Sequence, residues 1–159
     1  MVRFVRFLRL SAEQRWLLCK AVTLLAAIRL SLWLLPYPPV RTLLDRLGRS
    51  SPRLAKDPSP AERLAWATTV AGRFVPGGSH CLSQALTLRT LMTRRGHPTR
   101  ICYGVRELDG APFMAHAWVE HDGVVLIGGG NLDRFRRLLA PSDVAPAGGI
   151  VTGGRRDVE

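Results

Sequence analysis

Acidic residues are scarce in this chain. Its 159 residues carry 12 aspartates and glutamates against 23 lysines and arginines, a formal net charge of +11. Such a balance turns a molecule toward acidic partners: nucleic acid, an anionic membrane or an acidic peptide. A GC-rich coding sequence would give the same arginine excess without any such partner. Cysteine is scarce too. Cys19, Cys81 and Cys102 are odd in number, widely spaced and form no CxxC or CxxH pattern, which argues against a disulfide framework and against a zinc site. Reduced thiols in the cytoplasm fit best. No basic run interleaved with aromatics is present, so no nucleic-acid platform is expected. No internal repeat is visible. The longest apolar stretch ends in Pro36-Tyr37-Pro38-Pro39, which is no small-residue cleavage site. What is present is a hydrophobic content of 47%, enough for the core of one domain.

Along the chain, Arg3, Arg6 and Arg9 alternate with apolar residues. Ser11 and Gln14 have the spacing of a capping box. From Arg15 to Leu35 the sequence is very apolar, interrupted by the charges of Lys20 and Arg29. Crossing a bilayer would set Arg29 deep in hydrocarbon, at a cost of several kcal/mol. A helix that is buried or lies on a surface, with both cations reaching outward, reads better. Peripheral membrane contact through residues 15–35 stays open. Residues 40–47 read as a short helix stopped by Gly48, and the serine- and proline-rich segment 51–60 as a linker. Ser59 as N-cap and Pro60 at the first helical position open a helix reaching about Phe74. Cys81 opens another, with Leu82, Ala85, Leu86, Leu88, Leu91 and Met92 on its apolar stripe and Gly96 as its left-handed stop. Residues 98–105, 113–121 and 124–127 alternate as strands, and Asp122-Gly123 is a two-residue hairpin turn. Helices followed by a small antiparallel sheet make an α+β fold. Its parts would be an apolar, basic helical arm at 1–50, the linker at 51–60, a core at 61–140 and an irregular tail at 141–159.

Cys81 is a candidate nucleophile, because the unpaired amides at a helix start favour a negative sulfur. The competing reading is a small buried hydrophobe, which suits Cys19 and Cys102. His116 lies in a strand between Ala115 and Ala117, whose small side chains leave room around an imidazole. Trp118 and Glu120 share its face by the period of two. A strand histidine over a cysteine at a helix start is what papain-like chemistry needs: the imidazole takes the thiol proton, the thiolate attacks a carbonyl, and helix amides hold the oxyanion. His80 and His97 read as loop residues. His121 falls on the opposite face from His116, which argues against a shared metal site.

Three motifs, Cys81-Leu82-Ser83-Gln84-Ala85-Leu86-Thr87-Leu88, Arg94-Arg95-Gly96-His97-Pro98 and Ala115-His116-Ala117-Trp118-Val119-Glu120, resemble the stand-alone leader peptidase of lasso-peptide biosynthesis. That family in turn resembles the transglutaminase core, a nucleophile helix packed on a sheet that carries the histidine. The resemblance covers about residues 60–130. It implies a cysteine endopeptidase whose substrate is a ribosomally made precursor peptide. The partners it implies are a small leader-recognition protein and a separate cyclase; it implies no cofactor and no metal. The family usually sets an aspartate on the strand after the histidine, and here Gly128 stands in that place. If Asp122-Gly123 is a two-residue turn, His116 pairs with Gly129. Asn131 is then the nearest polar residue on the same face and the candidate orienter of the imidazole. Asp133 is the alternative, and a backbone carbonyl or a dyad without an orienter a third. Competing functions are another acyl transfer or amidase on the same core, and a non-catalytic peptide-binding scaffold.

Overall fold

In the computed structural model the described residues are 10–49, 60–76, 81–108 and 111–138. Residues 1–9, 50–59, 77–80, 109–110 and 139–159 lie outside them, and with them the expected linker and tail.

Helix α1, Ala12–Leu34, starts with the expected box: Ser11 accepts from the Gln14 amide and the Gln14 side chain accepts from the Ser11 amide. It buries Leu17, Leu18, Ala21, Leu25 and Ile28, one stripe at helical spacing. Cys19 lies off that stripe and is exposed, against its reading as a core residue. Helix α2, Tyr37–Arg49, begins three residues earlier than the sequence suggested. Pro38 and Pro39 fall in its first turn, where a missing N–H costs nothing. It also runs through Gly48, which lies against Thr93. Helix α3, Ala61–Ala71, takes Pro60 as its N-cap, so the proline sits one place before the first helical position, and Phe74 falls beyond the helix and is exposed.

Helix α4, Cys81–Thr93, is the centre of the molecule. Eight of its residues are buried, and it packs against α1, α2 and α3 and against the sheet. A helix surrounded this way must be unpolar on nearly all sides. Of its three buried hydroxyls, Ser83, Thr87 and Thr90, the two threonines donate to the carbonyls of Ser83 and Leu86 at 2.7 and 2.8 Å, which satisfies them inside the helix. Gly96 ends the turn beyond α4 at a φ of +77°, as expected of a left-handed stop.

Four antiparallel strands follow: β1, Arg100–Leu108; β2, Ala111–His121; β3, Val124–Ile127; and β4, Arg136–Leu138, in the order β3-β2-β1-β4. The hairpin between β2 and β3 is the expected one, with Asp122 at φ +48° and Gly123 at +79°. One face of the sheet puts Ile101, Ala117, Val119 and Ile127 into the core shared with the helices. Leu17, Leu18 and Val40 belong to that same core, so the N-terminal helices and the cysteine helix are packed as one body. Tyr37 of α2 and Tyr103 of β1 join hydroxyls at 2.5 Å. Burial first, and that bond second, push the Tyr103 hydroxyl well above its ordinary value. The fold is therefore α+β, with the helix headed by Cys81 packed on a small antiparallel sheet and N-terminal helices ahead of it.

Candidate active site

Cys81 is the first residue of α4 and is half-buried. No acidic side chain sits in the first turn of α4 to oppose the partial positive charge of its amides. The helix axis is fixed on every side by packing, so the place of the sulfur is set by the core rather than by a loop.

His116 sits near the middle of β2, opposite Gly104 of β1. Its ring is held between two aromatic rings, Trp118 at 6.2 Å and Phe135 at 5.1 Å between centroids. Gly104 makes room for them: a Cβ there would meet Phe135 Cβ and Trp118 Cζ3, each at 3.0 Å. On this face of the sheet stand His116, Trp118, Glu120, Cys102 and Arg137. The residues between, Ala117 and Val119, are the ones in the helix-facing core.

The ring Nε2 lies 2.8 Å from the carbonyl oxygen of Gly128. A carbonyl only accepts. The pairing therefore assigns the proton of the neutral ring to Nε2 and leaves Nδ1 with the free lone pair. Gly128 reaches this place through a change of register. Val119 pairs with Ile127 but Glu120 pairs with Val125, so Leu126 is an extra residue, a β-bulge. The bulge overturns the expected pairing of His116 with Gly129. It carries Gly128 under Trp118, where φ is +81° and a Cβ would come within 2.9 Å of the Ala117 carbonyl oxygen and of Trp118 Cβ. The same close approach leaves no room for an aspartate side chain on this backbone.

Asn131 and Asp133 lie elsewhere. Asn131 is exposed at φ +57°, before the 3-10 turn Leu132–Arg134, and its side chain makes no capping bond. Asp133 is exposed in that turn. Among the described residues neither is hydrogen-bonded to His116, and no hydrogen bond joins Cys81 Sγ to the imidazole. His121 turns to the Pro98 carbonyl at 2.6 Å and stands edge-on to His97 at 5.6 Å. No three His, Cys, Asp or Glu side chains among the described residues form a metal-binding group.

Beside the histidine, Glu120 accepts from the Trp118 indole at 2.8 Å and from Arg137 at 3.1 and 3.2 Å, and Arg137 also reaches Cys102 Sγ at 2.8 Å. This cluster ties β4, and with it Phe135, to the histidine face. The Gly128 carbonyl answers to the third alternative for the orienter, a backbone carbonyl; Phe135 and Gly104 are the site features that sequence reasoning did not name. A glycine inside an alternating strand was the available signal for Gly104.

A family model of the transglutaminase-like superfamily matches residues 22–140. The chain belongs to that superfamily. No curated protein and no solved structure matches it. The transglutaminase-like match takes in most of α1, all of α4 and the whole sheet, and so contains both Cys81 and His116. Members of this superfamily are typically cysteine-based enzymes.

Proposed function

We propose that this transglutaminase-like protein is a cysteine endopeptidase that removes the leader from a lasso-peptide precursor. Cys81 is the nucleophile and His116 the base. A separate small protein delivers the leader, and a separate cyclase acts on the product. The observation that carries the reading is the fixed tautomer of His116: Nε2 is committed to the Gly128 carbonyl, so Nδ1 is the atom available to a thiol. Cys81 Sγ gives its proton to Nδ1 and attacks the scissile carbonyl. The imidazolium returns the proton to the leaving amine as the C–N bond breaks, and water then hydrolyses the thioester. The Cys81 amide is the natural oxyanion donor. This mechanism requires Sγ and Nδ1 to come within hydrogen-bond reach in the substrate complex, and because His116 alternates with the strand residues that face the helices, that approach must be made past an edge of the sheet and not across its packed face.

The test is incubation of the protein with the precursor and its leader-binding partner, with products read by mass. Wild type should yield leader and core peptide. Cys81→Ala and His116→Ala should yield neither while keeping the wild-type circular dichroism. Cleavage by Cys81→Ala would sink the proposal. A second reading, a peptide-holding scaffold without turnover, is favoured by the neutral partner of His116 and the absence of a Cys81–His116 hydrogen bond. It predicts that wild type binds precursor and leaves it whole.

A further inference from the structure

The outward side of α1 is unlike that of a helix resting on a water-soluble core. Its inner side is buried, and its outer side should then be polar. Instead Trp16 is 64%, Leu30 56%, Trp33 81% and Leu34 63% exposed. Ala27 continues the stripe between them and is exposed too. Beyond the first turn, Lys20 is the single charged residue among the exposed positions of α1. The hydroxyl of Ser31 is already spent on the Ala27 carbonyl at 2.8 Å, so Thr23 is the stripe's one neutral hydroxyl. By length and composition this helix could cross a membrane. Its inner side, however, is locked into the core with α3 and α4. Within this fold it can lie against a membrane but not span one.

Charge indicates which surface covers it. A groove of about 500 Å³ runs beside the stripe, lined by Trp16, Lys20, Leu24, Leu91, Arg94 and Arg95 among others, with no acidic residue. Lys20 Nζ stands 4.8 Å from the Trp16 ring centroid. Arg3, Arg6 and Arg9 precede α1 in the sequence. At a rise of 1.5 Å per residue, Trp16 and Trp33 mark the two ends of a stripe about 25 Å long.

We propose that the outer stripe of α1 docks this protein on an anionic membrane surface. The apolar side chains enter the boundary of headgroup and acyl chain, the two tryptophans sit at headgroup depth, and Lys20 and Arg94 face lipid phosphates. A protein partner would call for hydrogen-bonding groups spread among the apolar ones, and the stripe offers few. Neither Cys81 nor His116 belongs to the stripe or to its groove, so the proposal stands or falls independently of the peptidase reading.

The test is flotation of the full-length protein with vesicles of phosphatidylcholine and phosphatidylglycerol in equal parts, and with phosphatidylcholine alone. Wild type should rise with the anionic vesicles, with its tryptophan emission shifted to the blue, and rise far less with the neutral ones. The variant Leu30→Ser/Trp33→Ser/Leu34→Ser changes exposed positions only and should keep its circular dichroism while losing vesicle binding by on the order of tenfold or more. Lys20→Glu/Arg94→Glu should weaken binding to the anionic vesicles and leave the neutral ones unaffected. Wild type that stays down with anionic vesicles, or a triple variant that floats as well as wild type, would overturn the proposal. So would a lipid-free dimer dissolved by the triple variant, which would give the stripe to a second copy of the chain.

Discussion

Adding a methyl group at Gly128 would set it 2.9 Å from both the Ala117 carbonyl oxygen and Trp118 Cβ, at a φ of +81°. Both conflicts are with backbone or a Cβ, which cannot swing aside. Gly128→Ala should therefore lose about 1–3 kcal/mol of stability, read as a fall in thermal midpoint, and should lose activity as the carbonyl leaves Nε2. Gly128→Asp carries the same conflict and should not act as a restored acid. A Gly128→Asp variant more active than wild type would contradict the role given to the carbonyl. The settings of the two candidate residues were legible: Cys81 at a helix start, His116 in a strand between two alanines. A backbone carbonyl stood only as the third alternative for the partner of His116, and which carbonyl it is was not legible, because the bulge leaves no mark in the sequence. In the straight register Leu126 would face Val119; in the bulged one Ile127 does. Either choice sets an aliphatic side chain against another, so the hydrophobic pattern does not distinguish them.

Elements differ in how far local chemistry decides them. The capping box of α1, the glycine stop after α4 and the Asp122-Gly123 turn are each written in a few adjacent residues, and each formed as expected. Strand β4 is not written locally. Arg136-Arg137-Leu138 is exposed and has no apolar alternation; its place comes from β1 and from Glu120 across the sheet. Burial by itself would raise the Glu120 carboxyl. Hydrogen bonds from the Trp118 indole and the Cys102 thiol, with the charge of Arg137, overcome that and hold it below 4.5, its ordinary value. A carboxyl depressed in the folded state stabilises the fold above its unfolded-state value, and that contribution disappears as pH falls through the folded one. Glu120→Gln should therefore flatten the loss of thermal stability below pH 4.5. An unchanged acid limb would show that the cluster contributes nothing net to stability.

At the scale of the whole molecule, helices and strands came in the order the sequence implied, but their assembly was less legible. The N-terminal helices read as an arm because both sides of α1 are apolar, and nothing in such a pattern says which side turns inward. In the structure Leu17, Leu18, Ala21, Leu25 and Ile28 complete the core around α4. Removing residues 1–36 should consequently abolish the cooperative thermal transition, since several large side chains leave the core at once; a sharp transition in that fragment would show that the rest folds alone. The Gly128 carbonyl gives this molecule an unusual relation to heredity. A side-chain acceptor can be erased by a single codon change, whereas a carbonyl of the main chain is present whatever residue occupies the position. Substitution can only displace it. Besides a substitution that displaces Gly128, loss of the one extra residue in the bulge, a single in-frame deletion, would turn the carbonyl away from His116.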